Sequence, residues 1–305
     1  METRYEIVNR KFEAIFYPRI RRALNVPVAS VRRLLLDGGV PAAMNYLNNL
    51  AGNPALTSEV RKLYEQVGGR HARMSHSRLI IRKAQRSETK SFGDNGTWIQ
   101  FITEYLQRFL LDKITFEVSK TTRDALMRAL QKGVSEGLGV QDMVDSLKDW
   151  PYERFQAARI VRTEVNRAAN VGIKAQSETS KYEQTKTWVS AHDSRVRGNR
   201  RQDHANHVLL DTVKIDMHSK FLDIRSGDEL DFPGDPNASA ATTVNCRCRI
   251  VTQMKRDENG DPIPKKRGVY VQMPGANPNR RITTIAPRGV SVTRPRTTNL
   301  PTITI

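Results

Sequence analysis

The residues of this chain that could do chemistry are concentrated between positions 187 and 248. This stretch begins with TWVSAHDSRVR, continues through DHANHVLLD and LDFPGDP, and closes with VNCRC. The closing CxC holds both cysteines of the chain, Cys246 and Cys248. Asp, His and Cys side chains bind metals or transfer protons, and no other region of the sequence mixes them so densely. We therefore expect the functional site in this stretch.

Four residues of the stretch form a candidate tetrahedral metal site. We expect Cys246 and Cys248 to lie on one strand, where residues i and i+2 point to the same face and present two thiolates side by side. An imidazole from His207 and a carboxylate from Asp193 complete a set of ligands that suits zinc, with His204 as the alternative histidine. The same spacing makes a disulfide between the two cysteines strained. The alternative is a metal-free pair of small core thiols beside a loop histidine.

The composition bounds the class of protein. The chain has 305 residues, a formal net charge of +18 and a pI of about 10.2. Such a charge attracts polyanions, and the two candidate partners are nucleic acid and an acidic protein surface. No stretch approaches the roughly 20 apolar residues of a membrane span. The start of the chain lacks the apolar core of a signal peptide, so we expect a protein that is made and kept in a reducing cytosol.

The first half of the chain has the apolar periodicity of helices. Residues 1–90 predict a helical region with turns at 38–39 and 52–53, punctuated by three prolines, Pro27, Pro41 and Pro54. Residues 91–184 predict a second helical block. Within it, Thr121 or Thr122 is the expected N-cap of one helix, and ERFQAARIVRTEVNRAANVGIKAQSE is the longest helical pattern.

The second half changes character. Residues 185–254 alternate like short strands in TKTWVSA and TVNCRCRIVTQ, with many turn formers between them, which predicts a compact mixed α/β module. Residues 255–305 hold seven of the 14 prolines, ten Lys/Arg and three Asp/Glu. We expect them to form an extended basic tail with no fold of its own, which protease cuts near 265–267 and which orders on a partner. The fold class predicted for the whole chain is α+β.

Two clusters of basic residues are candidate contacts to DNA phosphate or to an acidic protein. One lies in residues 69–86, which contain six Lys/Arg and no acid. The other lies at the start of the tail. The predicted contact residues are Arg70, Arg73, Arg78, Arg82, Arg86, Lys265, Lys266 and Arg267. A solvated face is the alternative for the first cluster.

The order of the motifs resembles a known family. The series W…DxRVR…HxxLD…LxFPGDP…NCRC, preceded by the helical ARIVRTEVNRAANVG, is similar to the phage Mu F-like family of minor head proteins over roughly residues 120–252. One departure is that GNRRQDHAN separates the RVR motif from the histidine. The HxxLD spacing to Leu210 and Asp211 favours His207 as the family position.

The resemblance implies a structural protein of a tailed bacteriophage. Its expected partners are the portal protein or the capsid shell. Its positive charge makes the genomic DNA a further expected partner. The expected location is the virion, at the capsid interior or portal vertex, in several copies, after synthesis in the host cytoplasm. It would support head assembly, DNA packaging or ejection, with no catalytic residues and zinc as the only candidate cofactor.

Two other classes of function stay open. The first is an enzyme on the same module. Arg162, Thr163 and Glu164 are the residue types of an ADP-ribosyltransferase, but adjacent residues of a helix do not share a face. His204 or His207 could instead act as the base of a metal-dependent nuclease. The second class is a DNA-binding ejection protein. The sequence contains no phosphate loop of the Walker type, which argues against an ATP-driven packaging motor.

Overall fold

The structure, a computed structural model, describes residues 3–81, 95–148 and 152–265. It contains the helices α1 (Arg4–Asn48), α2 (Pro54–Ile81), α3 (Asn95–Phe109), α4 (Leu111–Ser135), α5 (Val140–Ser146), α6 (Tyr152–Thr179), α7 (His207–Leu210) and α8 (Ala240–Thr243). Its strands are β1 (Gln184–Val189), β2 (Lys214–Asp216), β3 (Phe221–Leu222), β4 (Glu229–Leu230) and β5 (Arg249–Met254). The predicted α+β class, with helices first and short strands after them, is confirmed.

Helix α1 begins with a capping box, in which Thr3 accepts a hydrogen bond from the Glu6 amide and the Glu6 carboxylate accepts one from the Thr3 amide. The predicted turn at 38–39 appears as a kink at Gly39, whose φ of 68° suits a residue without Cβ. The prediction that Pro27 punctuates the region is wrong, because α1 continues through this buried proline.

The predicted turn at 52–53 is confirmed, and it carries the cap of α2. The Asn53 side chain accepts a hydrogen bond from the Leu56 amide at 3.1 Å. Its amide group donates to the carbonyl of Ala23 at 2.8 Å. Pro54 occupies the first position of α2, where a missing N–H costs the helix no hydrogen bond. One side chain therefore both starts α2 and ties it to α1.

The expected N-cap at Thr121 or Thr122 is wrong. Helix α4 begins ten residues earlier, at Leu111, and passes through both threonines. The Thr121 hydroxyl donates to the carbonyl of Glu117 inside the helix, and Thr122 is buried. A threonine can satisfy its hydroxyl within a helix as well as at its start, so the residue type alone does not fix the boundary.

Helix α6 lies at the centre of the fold. It packs against α1, α2 and α3 and against strand β5. Nearly every residue from 160 to 178 is buried. Helix α2 approaches α6 so closely that a Cβ added at Gly172 would lie 2.1 Å from the carbonyl oxygen of Gly68. The contact of α6 with β5 positions the loop that contains the cysteines.

The main sheet has the strand order β2-β1-β5 with both pairs antiparallel. Thr187 of β1 pairs with Val251 of β5 and with Lys214 of β2. Strands β3 and β4 form a separate antiparallel pair. Trp188 of β1 is fully buried and packs edge-on against Phe221 of β3, which joins the two sheets.

The first residues of the predicted tail belong to the folded body. Backbone bridges join Arg256 to Pro262 and Tyr182 to Pro264. The Lys265 ammonium donates to the carbonyls of Ser177 and Glu178 at 2.9 and 3.0 Å, at the C-terminal end of α6 where a positive charge is stabilising. The prediction that 255–265 have no fold of their own is therefore wrong.

The chain divides into two units, Met1–Lys266 and Arg267–Ile305. The second unit, and with it most of the predicted tail, lies outside the described residues. Among the helices that the structure describes, none is long and apolar enough to cross a membrane.

Candidate metal centre

Three of the predicted metal ligands come from two short segments, one at the start of α7 and one between α8 and β5. His207 is the first residue of the short helix α7, whose N-cap Asn206 accepts a hydrogen bond from the Leu209 amide at 3.3 Å. Cys246 and Cys248 lie between α8 and β5. The expectation that both cysteines are on a strand is therefore wrong, because β5 begins one residue later, at Arg249.

Helix α6 fixes the backbone of the cysteine loop. The carbonyl of Cys248 accepts hydrogen bonds from the side-chain amides of Asn166 at 3.0 Å and Asn170 at 3.3 Å. The Asn245 amide donates to the Thr163 hydroxyl at 2.9 Å. Asn245 has a φ of 58°, a left-handed conformation that asparagine adopts more readily than most residues. These contacts hold the loop so that both thiols point toward His207, although the cysteines are not part of a strand.

The two thiols meet one nitrogen of the histidine. His207 Nδ1 lies 3.7 Å from Cys246 Sγ and 3.6 Å from Cys248 Sγ. The three donor atoms all lie within 4.8 Å of one another. His207 is 1% exposed and each cysteine 3%, so the cluster is closed to solvent. Two sulfurs and one imidazole nitrogen are donors that could hold a thiophilic cation.

The two cysteines influence each other's protonation. The Cys248 thiol beside Cys246 lowers the pKa of Cys246 well below its usual value. Cys246, together with burial, raises the pKa of Cys248 well above it. Two adjacent buried negative charges are costly, so ionisation of one thiol opposes ionisation of the other.

A buried carboxylate lies behind the histidine. Asp223 Oδ2 is 4.0 Å from His207 Nε2, and neither side chain is more than 1% exposed. Asp223 is itself held by backbone amides, from Asn206 at 2.7 Å and from Arg225 at 3.0 Å. The indole of Trp188 contacts the histidine ring edge-on, with 5.1 Å between ring centroids. The His207 ring thus lies between Trp188 and Asp223, with Nδ1 directed at the thiols.

Comparison with known proteins identifies the segment that contains this centre. Residues 123–251 match the family described as phage Mu protein F like protein. The segment is phage Mu F-like. It is also 29% identical over 128 residues to the uncharacterized protein YqbB of Bacillus subtilis (strain 168). That match covers 42% of this chain and 40% of the relative, so the two proteins share less than half of their lengths. No solved structure matches the chain.

The Mu F-like segment begins inside α4 and ends in β5, so it contains the whole cluster of His207, Cys246 and Cys248. The resemblance predicted from the motif series over roughly residues 120–252 is confirmed for the matched segment.

Asp193, the fourth predicted ligand, lies elsewhere in the Mu F-like segment. Both of its carboxylate oxygens pair with the Arg247 guanidinium, and Oδ1 accepts a hydrogen bond from the Arg195 amide at 2.9 Å. The Arg247 hydrogen bonds hold the pKa of Asp193 well below its usual range. His204, the alternative histidine, is exposed and is not part of the buried cluster. The structure therefore brings together three of the four predicted ligands, with His207 as the histidine.

The predicted contact residues fall into three groups. Arg70, Arg73 and Arg78 are exposed on α2. Lys265 binds the end of α6 within the chain. The others lie outside the described residues: Arg82, Arg86, Lys266 and Arg267.

Sequence reasoning missed the residues that support the cluster. Asn166 and Asn170 lie in the middle of α6, where asparagine is unfavourable because its side chain competes for backbone hydrogen bonds. Two asparagines four positions apart in a helical pattern could have indicated that this face of α6 forms hydrogen bonds to the backbone of another segment. Asp223 was also missed, although the DIRSGD sequence that begins with this residue is typical of an aspartate-initiated turn.

Proposed function

We propose that this protein is a non-enzymatic minor head protein of a tailed bacteriophage. In this proposal it associates with the portal or the capsid interior and supports head assembly, DNA packaging or ejection. The observation that carries the proposal is that most aromatic, histidine and cysteine side chains of the Mu F-like motifs are buried in the core of the fold.

The burial of the motif residues supports a structural role. Trp188, His207, Leu230 and Phe232 are each at most 1% exposed, and Asp235 is 2% exposed. Asp235 accepts a hydrogen bond from the Asp231 amide at 2.7 Å and one from the Asn237 amide at 2.9 Å, which fixes the FPGDP turn. A substrate would have no access to side chains packed in this way.

The contacts of Arg162, Thr163 and Glu164 do not favour transferase chemistry. The Thr163 hydroxyl accepts the hydrogen bond of the Asn245 amide. The Glu164 carboxylate accepts from the Tyr64 hydroxyl at 2.7 Å and pairs with Arg167 at 2.6 Å. Both side chains are buried and join α6 to its neighbours, Thr163 through Asn245 and Glu164 through Tyr64, which does not favour a role in nucleotide binding.

A nuclease centre has equally little support. It would need carboxylates around a metal and an accessible base. Within the described ranges, the group of at least three metal-binding side chains combines His207 with two cysteines and contains no carboxylate. Sulfur donors favour soft cations over the magnesium ion that phosphate chemistry commonly uses.

The positive net charge of the chain supports binding to a polyanionic partner. The net charge is +18, and Arg70, Arg73 and Arg78 lie exposed on one helix. Partial burial of the Arg78 guanidinium, together with the nearby positive charges of Arg249 and Arg4, lowers its pKa. We propose genomic DNA as one partner of this surface, with an acidic virion protein as the alternative. Capsid interiors offer both.

The test is to follow the protein in the phage that encodes it. Heads purified by density gradient should contain the protein in several copies, and a deletion mutant should make heads that are malformed, poorly filled or non-infectious. Complementation by the wild-type chain should restore infectivity. Absence of the protein from purified heads, together with normal infectivity of the deletion mutant, would overturn the proposal.

A further inference from the structure

We propose that His207, Cys246 and Cys248 bind one zinc ion, through Nδ1 of the histidine and both Sγ atoms. The ion would join the first residue of α7 to the loop before β5. The inference does not depend on the role of the protein in the head, since it rests on the cluster alone.

The distances between the donor atoms fit zinc. Bonds of about 2.3 Å to sulfur and about 2.0 Å to nitrogen, at the tetrahedral angle, separate sulfur from nitrogen by roughly 3.5 Å. The structure places His207 Nδ1 at 3.7 Å from Cys246 Sγ and 3.6 Å from Cys248 Sγ. Both nitrogen–sulfur distances are therefore close to those of a zinc site, and all three donor atoms lie within 4.8 Å of one another.

The chemistry of the donors selects the class of metal. Two thiolates and one neutral imidazole favour a borderline-soft cation such as Zn²⁺ over Ca²⁺ or Mg²⁺. The charges also balance, because two thiolates neutralise a divalent ion in a site where all three residues are buried. Binding releases the thiol protons to solvent, and each sulfur forms one bond to zinc without any change in oxidation state.

The surroundings of His207 provide an independent indication. Its Nε2 has no hydrogen-bond partner although the residue is buried. The buried Asp223 carboxylate lies 4.0 Å away, on the side of the ring opposite the thiols. Histidines that bind metals through one nitrogen commonly donate the other N–H to a carboxylate, which fixes the ring and keeps the ligating nitrogen unprotonated. A small rotation of His207 toward the ion's position would complete this arrangement.

The proposed site has three protein ligands. The cluster contains no fourth His, Cys, Asp or Glu among the residues that the structure describes. Asp193, the residue predicted for this position, is paired through both oxygens with Arg247. We therefore assign three protein ligands and exclude Asp193 from the site.

The first experiment uses the full chain, purified without chelator. Elemental mass spectrometry should find about one zinc per chain. Removal of the metal with a strong chelator should lower the Tm by roughly 5–10 °C, the shift expected when a ligand far above its Kd is withdrawn. Replacement by Co²⁺ should give the near-ultraviolet absorption of thiolate-to-cobalt charge transfer. A chain without zinc that also fails to develop this absorption with added Co²⁺ would overturn the proposal.

The second experiment assigns the ligands. Cys246→Ser and Cys248→Ser should each lower the zinc content at least tenfold. The matched controls are His204→Asn, at the exposed neighbouring histidine, and Asp193→Asn, at the excluded carboxylate, and both should retain the metal. Loss of zinc from either control would contradict the three-ligand assignment.

A measurement on the unmodified protein covers the case in which the serine variants do not fold. In the zinc-loaded chain both thiols should resist alkylation, and chelation should expose both within the same kinetic phase. Alkylation that is unaffected by zinc, or a disulfide between the two cysteines in the native chain, would overturn the proposal.

Discussion

At the scale of single residues, the least expected feature is a buried lysine in the central strand. Lys186 of β1 has a fully buried side chain that packs over the ring of Phe221. Its ammonium donates to the carbonyl of Asp231 at 2.7 Å and also pairs with the carboxylate of the same residue. Lys174 of α6 shares that carboxylate at 2.5 Å. One aspartate thus compensates two ammonium groups, and its loss should cost more than the loss of either lysine.

We predict that Asp231→Asn lowers the free energy of unfolding by about 3 kcal/mol, because removal of one partner leaves the Lys186 charge buried without compensation. Lys186→Met is the matched comparison and should cost about 1 kcal/mol or less, because Asp231 keeps Lys174 and the new side chain fills the space. Urea denaturation at neutral pH measures both. A larger loss for Lys186→Met than for Asp231→Asn would contradict this account.

The residues of the candidate metal centre show which part of a site the sequence can predict. The CxC spacing predicts the pair Cys246 and Cys248, and the HxxLD motif favours His207 over His204, because spacing and residue type can be read without knowledge of the fold. The exclusion of Asp193 was not predictable. It depends on the Arg247 guanidinium lying against Asp193, and this contact between residues 54 positions apart exists only once the chain has folded.

At the scale of elements, the crossing of α2 and α6 is determined by two glycines. Gly68 and Gly172 bring the two backbones into direct contact, and Ile102 of α3 packs against the same point. Any side chain at this crossing would push the helices apart. In the sequence, a glycine within a helical pattern indicates only a lower helix propensity. The close crossing of α2 and α6 is therefore visible only in the folded structure.

We predict that Gly172→Ala destabilises the protein by about 3 kcal/mol or more, because the new methyl group would lie 2.1 Å from a backbone oxygen that cannot rotate away. Gly52→Ala is the control. A Cβ at Gly52 would meet no atom within 4 Å, so its effect should stay within about 0.5 kcal/mol. Thermal and urea unfolding of both variants test the prediction. Equal stability of the two would show that the helices separate without cost.

Elements were easier to predict than their ends. Helices α1, α2, α4 and α6 have apolar residues at regular spacing, and β1 has the period-two burial of a half-buried strand, so their existence followed from pattern alone. The start of α4 did not follow, because Thr121 and Thr122 can satisfy their hydroxyls inside a helix. The start of β5 after the cysteines did not follow either, since the left-handed turn at Asn245 interrupts an otherwise alternating sequence.

At the scale of the whole molecule, the Mu F-like segment is not an independent body. The Tyr5 hydroxyl of α1 donates to Asn166 at 3.2 Å, and the Tyr64 hydroxyl of α2 donates to Glu164 at 2.7 Å. These contacts join residues 161 and 100 positions apart. The α+β class could be predicted, but the association of the two halves could not, because no local pattern states which distant residues will meet.

We predict that a fragment covering residues 111–265 does not fold alone, because the faces of α6 covered by α1, α2 and α3 would be exposed to water. A chain of residues 1–266 keeps every contact described here and should unfold cooperatively with the Tm of the full chain. Circular dichroism and thermal unfolding of the two fragments provide the test. A cooperative transition in 111–265 would contradict the prediction.

The central position of α6 has a consequence for synthesis on the ribosome. Its partners α1 and α2 emerge before it, whereas β5, which closes its other side, emerges after it. About 75 residues separate the end of α6 from the end of β5. At translation rates of about 5–20 residues per second, α6 waits roughly 4–15 s for that strand. During this interval the asparagine face of α6 in the nascent chain is not yet covered by β5.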